Sequence, residues 1–255
     1  MISAFPIMRI IGHIDMDSFF ASVEVRENPQ YQGLGIVVGA DPKSGIGRGV
    51  VSTANYQARK YGIHSAQPIS TAWRLAQSAM QKKEPKTVFL PVNMSFYEKV
   101  SDRIFGIVRK YVPVVEQSSI DEAYLDLSFC ANQAAEDTNF EDRTKSQNDR
   151  LILGGDTLRD AFTWVKGEHR NLKELEVSEK FGFEAAVVVI QKIKEEIRSQ
   201  EKLTAKVGLG PNKLIAKMAS TSCKPDGWVV VLPDDVGSFL DPLPIGDIPG
   251  IGPKS

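Results

Sequence analysis

The sequence is poor in the residues that build disulfides and soft-metal sites. Two cysteines, Cys130 and Cys223, and three histidines, His13, His64 and His169, stand in 255 residues. That excludes a disulfide framework and gives no zinc-ligand spacing, so both thiols are expected free in a reducing compartment. No apolar run approaches the roughly 20 residues of a membrane span, and no basic segment followed by an apolar one opens the chain. A cytosolic chain with no membrane partner is expected. An excess of charge of either sign is also missing: the formal net charge is −1, which by itself points to no polyanionic partner. The balance is uneven, however. Residues 130–180 carry 11 acidic and 8 basic side chains, which leaves the rest of the chain slightly positive and permissive for a phosphate-rich ligand. With 42% hydrophobic and 25% charged residues, this is an ordinary globular composition, long enough for one large domain with appendages or two small ones.

What is present is acid at the ends of apolar segments. Ser118-Ser119-Ile120-Asp121-Glu122-Ala123-Tyr124-Leu125-Asp126-Leu127 reads as two short strands joined at a tight Asp-Glu corner. A second segment, Arg9-Ile10-Ile11-Gly12-His13-Ile14-Asp15-Met16-Asp17-Ser18-Phe19-Phe20, is a strand that also ends in acids. Ionised carboxylates in strand runs are costly unless compensated, and a divalent cation compensates them. If the two strands are sheet neighbours, Asp15, Asp121 and Glu122 converge on one edge and suit two metal ions roughly 3.5–4 Å apart, the arrangement of phosphoryl-transfer centres. The plainer reading is a turn in which Asp17 caps the helix that follows.

In chain order, the apolar strand at 9–15 leads to a short helix from Ser18 to Arg26, stopped by Asn28-Pro29. A strand spans Gly35 to Gly39, followed by a glycine-rich connection. Val50 to Gly62 opens as a strand and turns helical after Thr53, which puts Tyr56, Arg59 and Lys60 on one helical face: two cations and a phenol for one ligand, or simply a solvated face. Further helices are expected over Pro68 to Met80 and, core-facing, over Phe96 to Tyr111, with a strand at Thr87 to Pro91 between them. Residues 130–180 break this rhythm as a polar insertion, with a short helix expected over Leu158 to Val165 and Gly154-Gly155-Asp156 read as a turn. Regularity returns with a helix over Phe181 to Ile197, a strand over Ala205 to Gly210, a helix opened by Pro211 and carrying Lys213 and Lys217, and a strand at Trp228 to Leu232. Ile248-Pro249-Gly250-Ile251-Gly252 has the glycine spacing of a hairpin between two helices whose N–H groups meet a DNA phosphate. The chain stops within that motif, so a truncated product is expected. The order of elements suits an α+β layer with a mixed sheet.

These blocks resemble the Y-family translesion DNA polymerases, particularly the polymerase IV and kappa branch. The similarity runs through His13-Ile14-Asp15-Met16-Asp17-Ser18-Phe19-Phe20-Ala21-Ser22-Val23-Glu24, Thr53 to Gly62, Ser119 to Asp126, Val207 to Lys217, Lys224-Pro225-Asp226-Gly227 and Ile248 to Gly252, in the family's order. The resemblance implies a ferredoxin-like palm in three parts (1–29, 81–129 and 181–232), a small fingers domain at 30–80, the insertion at 130–180, and the start of a helical thumb at 233–255 with an incomplete helix-hairpin-helix. It implies Asp15, Asp121, Glu122 and the Met16 carbonyl as ligands of two Mg²⁺ ions. Phe19, Phe20, Thr53, Tyr56, Arg59 and Lys224 would contact the nucleotide, Phe20 would select the sugar, and Gly250 and Gly252 would meet DNA. Primer-template DNA and deoxynucleoside triphosphates are the implied partners, with a sliding clamp reached through a C-terminal segment outside this sequence. The implied compartment is the cytoplasm in a prokaryote or the nucleus in a eukaryote. Two other classes compete: a non-catalytic DNA-binding scaffold built on the same palm, and a palm-fold nucleotide cyclase. Intact acids argue against the first; the Tyr56/Arg59 helix and the glycine hairpin argue against the second.

Overall fold

Strands form where β-branched and apolar residues alternate or run together, and ten do so in the computed structural model, which describes residues 9–130, 182–223 and 225–251 and the backbone of 162–165 and 168–171. The chain divides into two compact units, one made of the chain up to Asp15 and from Ile104 onward, the other of Met16–Arg103.

The first unit is organised on a seven-stranded mixed sheet. Its strands are β1 (Ile11–Met16), β5 (Val114–Gln117), β6 (Glu122–Asp126), β7 (Phe162–Val165), β8 (Glu168–Asn171), β9 (Ala205–Gly210) and β10 (Trp228–Val230), in the order β5-β6-β1-β9-β10-β7-β8. β5 and β6 are an antiparallel hairpin, and β6 continues antiparallel to β1 with Asp15 opposite Glu122. The two acidic strand ends are therefore neighbours, as the sequence led one to expect. The hairpin itself is shifted from the expected one. Its first strand lies ahead of Ser118, and Ser118–Asp121 form the turn, closed by the Ser118 and Ser119 N–H groups donating to the Glu122 carbonyl.

Two helices of this unit pack on β9, and the second of them reaches the site. The long helix of this unit (Phe183–Glu201) buries Phe183, Ala186, Ile190, Ile193 and Ile197 at three- and four-residue spacing, the Phe and Ile side chains each worth about 1.5–3 kcal/mol relative to exposure. A second helix, Lys213–Ser222, begins at Asn212, whose side chain accepts from the Ile215 N–H. Asn212 takes the cap because its short carbonyl reaches the orphan donor; Pro211 stands before it, not in the first turn. This helix lies so close on β9 that a Cβ on Gly208 would meet the Ala216 carbonyl at 2.1 Å and the Ser220 nitrogen at 2.3 Å. Only glycine permits that approach.

The expected helix over Leu158 to Val165 is corrected where it is described: Phe162–Val165 is a strand, parallel to β10 and hairpin-paired with Glu168–Asn171. Phe-Thr-Trp-Val is aromatic and β-branched, and the edge of β10 offers it a partner; four residues of helical period could not outweigh that. The Gly154-Gly155-Asp156 turn lies outside the described residues.

The second unit carries a three-stranded sheet, β3-β2-β4, built from β2 (Gly35–Gly39), β3 (Val51–Ala54) and β4 (Thr87–Leu90). Val37, Val51, Ala54, Ala58, Ile63, Ile69, Ala72 and Ala76 make its core, with helices at Tyr56–Lys60 and Ile69–Gln81. Its other helices are Phe19–Glu27 and the first part of Met94–Tyr111. The residue at the cap of the helix at Phe19 is Ser18. Ser18 precedes that helix in the left-handed region (φ 46°) without a side-chain capping bond, and the Asp17 carboxylate is engaged elsewhere.

Candidate functional site

The acids of the first unit are met by basic side chains from the facing strand and helix. Asp15 faces Lys206 of β9, whose Nζ lies 2.6 Å from Oδ2. Burial raises the Asp15 pKa, Lys206 works against that rise, and the nearby Asp121 adds to it. Lys217 donates to both carboxylate oxygens of Glu122 at 2.9 Å, and the Ser118 hydroxyl donates to Oε1 at 3.3 Å. Burial pushes Glu122 up, but Lys217, His13 and the Ser118 hydroxyl together outweigh it and hold the carboxyl below its usual range. Lys217 shifts the opposite way: burial lowers it, and Glu122 more than restores it, leaving it raised. Asp121 sits in the turn with its carboxylate accepting from the Ser119 hydroxyl at 2.6 Å.

His13, fully buried on β1, stands two residues before Asp15 on the same strand face. Its Nδ1 is 2.8 Å from the Ser220 hydroxyl, its ring lies 4.8 Å from the Tyr124 ring, and Nε2 is 3.3 Å from Glu122 Oε2 without hydrogen-bond geometry. Burial lowers its pKa to about 4, with Glu122 opposing and Lys217 assisting, so at neutral pH it is an uncharged packing partner of the site and the Glu122 contact is no ion pair.

The three carboxylates suit a hard divalent cation in chemistry: all are oxygen donors, two sit directly across a strand pair, and the field they create already draws two ammonium groups. Among the described residues no three His, Cys, Asp or Glu side chains converge as a finished metal cage. Asp15 and Glu122 are turned to their lysines.

In the second unit, Met16 closes β1 and is buried. The Asp17 carboxylate, on a residue only 4% exposed, accepts from the Tyr56 hydroxyl at 2.8 Å. The Arg59 guanidinium lies 5.1 Å over the Tyr56 ring and donates through Nε to the Ala54 carbonyl at 2.8 Å. Tyr56 and Arg59 are thus brought together as expected. Lys60, expected on the same face, is exposed and enters none of these contacts. Thr53 is half-buried on β3 opposite Val38. Phe19 and Phe20 are both buried but differ in partner: Phe20 stacks on Tyr97 (4.3 Å, 14°), and Phe19 meets the same ring edge-on at 6.5 Å. Tyr97 donates to Glu24 at 2.7 Å, and burial with that contact raises its pKa. Gly250 has φ +92° and open space beside it, as a turn glycine should. Lys224 and Gly252 lie outside the described residues.

Sequence reading singled out neither His13 nor Lys206, and gave Lys217 no partner. A lysine inside the apolar run Ala205-Lys206-Val207-Gly208-Leu209 was the available signal, since an unpaired ammonium does not belong in a buried strand.

The impB/mucB/samB family profile matches residues 14–221. The DNA polymerase IV 2 of Methanosarcina mazei is 43% identical over 247 residues, 97% of this chain and 52% of that protein. DNA polymerase IV of Methanoculleus marisnigri is 40% identical over the same length and shares. Among solved structures, DinB from Sulfolobus solfataricus is 34% identical with a TM-score of 0.65, over 96% of this chain and 55% of that one. A Dbh DNA polymerase insertion ternary complex is 32% identical with the same score, over 96% and 55%. The chain spans about half the length of the curated relatives it matches. On a profile match over most of its length and on these relatives, the chain belongs to the impB/mucB/samB family, the Y-family DNA polymerases that its motifs resemble.

Proposed function

We propose that this chain supplies the nucleotidyl-transfer part of a translesion DNA polymerase, which adds deoxynucleotides to a DNA primer opposite a template. The observation that carries the reading is the register of β1 on β6, which sets Asp15 across from Glu122, next to Asp121. Asp15, Asp121, Glu122 and the Met16 carbonyl would hold two Mg²⁺ ions. Bound there, the ions would supply Lewis-acid stabilisation of charge on the transferring phosphoryl group and a lowered pKa at the attacking hydroxyl.

The remaining roles belong to the chain's own side chains. Arg59, Tyr56, Thr53 and Lys224 would bind the triphosphate through cationic and hydroxyl donors, the complement that an anionic leaving group needs. The Arg59–Ala54 bond and the stack on Tyr56 support this by fixing the guanidinium with its terminal nitrogens free of that backbone bond. Phe20, braced by Tyr97, would lie under the sugar and exclude a 2′ hydroxyl, with Phe19 packing beside it. Gly250 and Gly252 would approach DNA phosphates. Primer-template DNA and deoxynucleoside triphosphates are the proposed ligands, with a sliding clamp as a further partner and the prokaryotic cytoplasm or eukaryotic nucleus as compartment. Among the described residues, no helix is long and apolar enough to cross a membrane. The relatives support the reading, since one is a ternary complex of a DNA polymerase.

The test is primer extension with Mg²⁺ and the four deoxynucleotides, run on this chain alone and on the chain joined to the C-terminal half of a relative. Asp121→Asn should abolish extension and leave the circular-dichroism melting curve unchanged, because removing one of several clustered like charges does not destabilise the fold. Extension by Asp121→Asn near the wild-type rate would refute the assignment.

A further inference from the structure

The acidic site contains a buried cation of its own. β9 has all six residues buried, yet the second of them is Lys206, its side chain 7% exposed and its Nζ 2.6 Å from Asp15 Oδ2. Lys217 offers the contrast. It reaches Glu122 from a helix with its side chain 30% exposed, so when another cation takes Glu122 the ammonium can turn into water. Lys206 has less room to turn away: its side chain is 7% exposed, its strand lies between β1 and β10, and losing Asp15 would leave a buried ammonium without that partner.

We propose that Lys206 is a fixed counter-ion of Asp15 that stays in place when a divalent ion binds, and that it lowers the affinity of the Asp15, Asp121 and Glu122 site for that ion. The inference rests on the reading of Asp15 as a metal ligand. An ammonium sharing a carboxylate with a dication sits on the order of 4–5 Å from it, and in a partly buried setting salt screens the repulsion much less than at the surface. Lys206 also cancels one of the three carboxylate charges. The site then fills only at high metal concentration, or when a polyanionic ligand such as a nucleoside triphosphate adds its own negative charge. Lys206 is in this sense a positioning residue: it holds Asp15 and sets how readily metal joins it, without touching substrate.

The probe is Mn²⁺ alone, with no DNA or nucleotide, and free ion is counted by electron paramagnetic resonance against wild type, Lys206→Met, Lys206→Arg and Asp15→Asn. Lys206→Met keeps the stem and removes the charge, and should bind at least tenfold tighter than wild type. Lys206→Arg should stay within threefold of wild type; an Arg variant as tight as the Met variant would overturn the inference, because charge would not be its cause. If Lys206→Met packs poorly by circular dichroism, Lys206→Thr is the second neutral variant, and the rise in melting temperature on adding Mn²⁺ should be larger in it than in wild type. Neutral variants that bind no tighter, while Asp15→Asn loses binding, would overturn the Lys206 inference and leave the metal reading standing. Asp15→Asn binding as well as wild type would overturn both.

Discussion

The bond between Tyr56 and Asp17 gives a measurement of how the second unit is held at the start of its first helix. Asp17 is 4% exposed and its carboxylate accepts the Tyr56 hydroxyl at 2.8 Å; Tyr56 itself is half-buried. A hydrogen bond to a charged group contributes about 1.5–3 kcal/mol net, and the partial exposure of Tyr56 places this one near 2. Tyr56→Phe removes the hydroxyl without changing the ring, so the stack under Arg59 survives. In urea, with a slope of about 1–3 kcal/mol per molar, a loss of about 2 kcal/mol lowers the midpoint by roughly 1 M. The assay is equilibrium urea unfolding of wild type, Tyr56→Phe, Asp17→Asn and the double variant, without nucleotide. The cycle is needed because each single change also leaves the other group short of a partner. We expect a coupling of about 1.5 kcal/mol or more. A coupling below about 0.3 kcal/mol would show that the contact holds nothing.

Two further outcomes are expected. Phe20→Ala should raise ribonucleotide over deoxynucleotide incorporation by orders of magnitude, since each ~1.4 kcal/mol of relieved clash is tenfold. It should also lower stability by about 3 kcal/mol through the gap left against Tyr97, so the ratio is measured well below the melting temperature; an unchanged ratio in folded, active protein would confine Phe20 to packing. Cys130 is buried and its pKa is pushed up to about 11, whereas Cys223 is half-buried. At pH 8 the Cys130 thiolate is then about a hundredfold scarcer than that of a thiol of ordinary pKa, and its alkylation by iodoacetamide should trail that of Cys223, gaining about tenfold per pH unit up to about 11. Equal rates for the two cysteines at pH 8 would refute this.

By itself, the sequence determined most of the elements and marked out the acids. Strand and helix positions follow from local periodicity, and Asp15, Asp121 and Glu122 stand out because carboxylates at the ends of apolar runs demand a partner wherever they end up. The tertiary structure alone decided which partner. Ser220 meets His13 across 207 residues and Lys217 meets Glu122 across 95, and both meetings depend on β1 lying between β6 and β9 and on Gly208 letting a helix settle onto β9. Neither condition has a local signature. The same holds for Lys206 on Asp15, Tyr56 on Asp17, and the Phe162–Val165 strand, whose four residues became a strand because the open edge of β10 was there to pair with them. Propensity acts over a few residues and fixes what most elements are. Sheet order acts across the whole chain and fixes which charges must share a buried space.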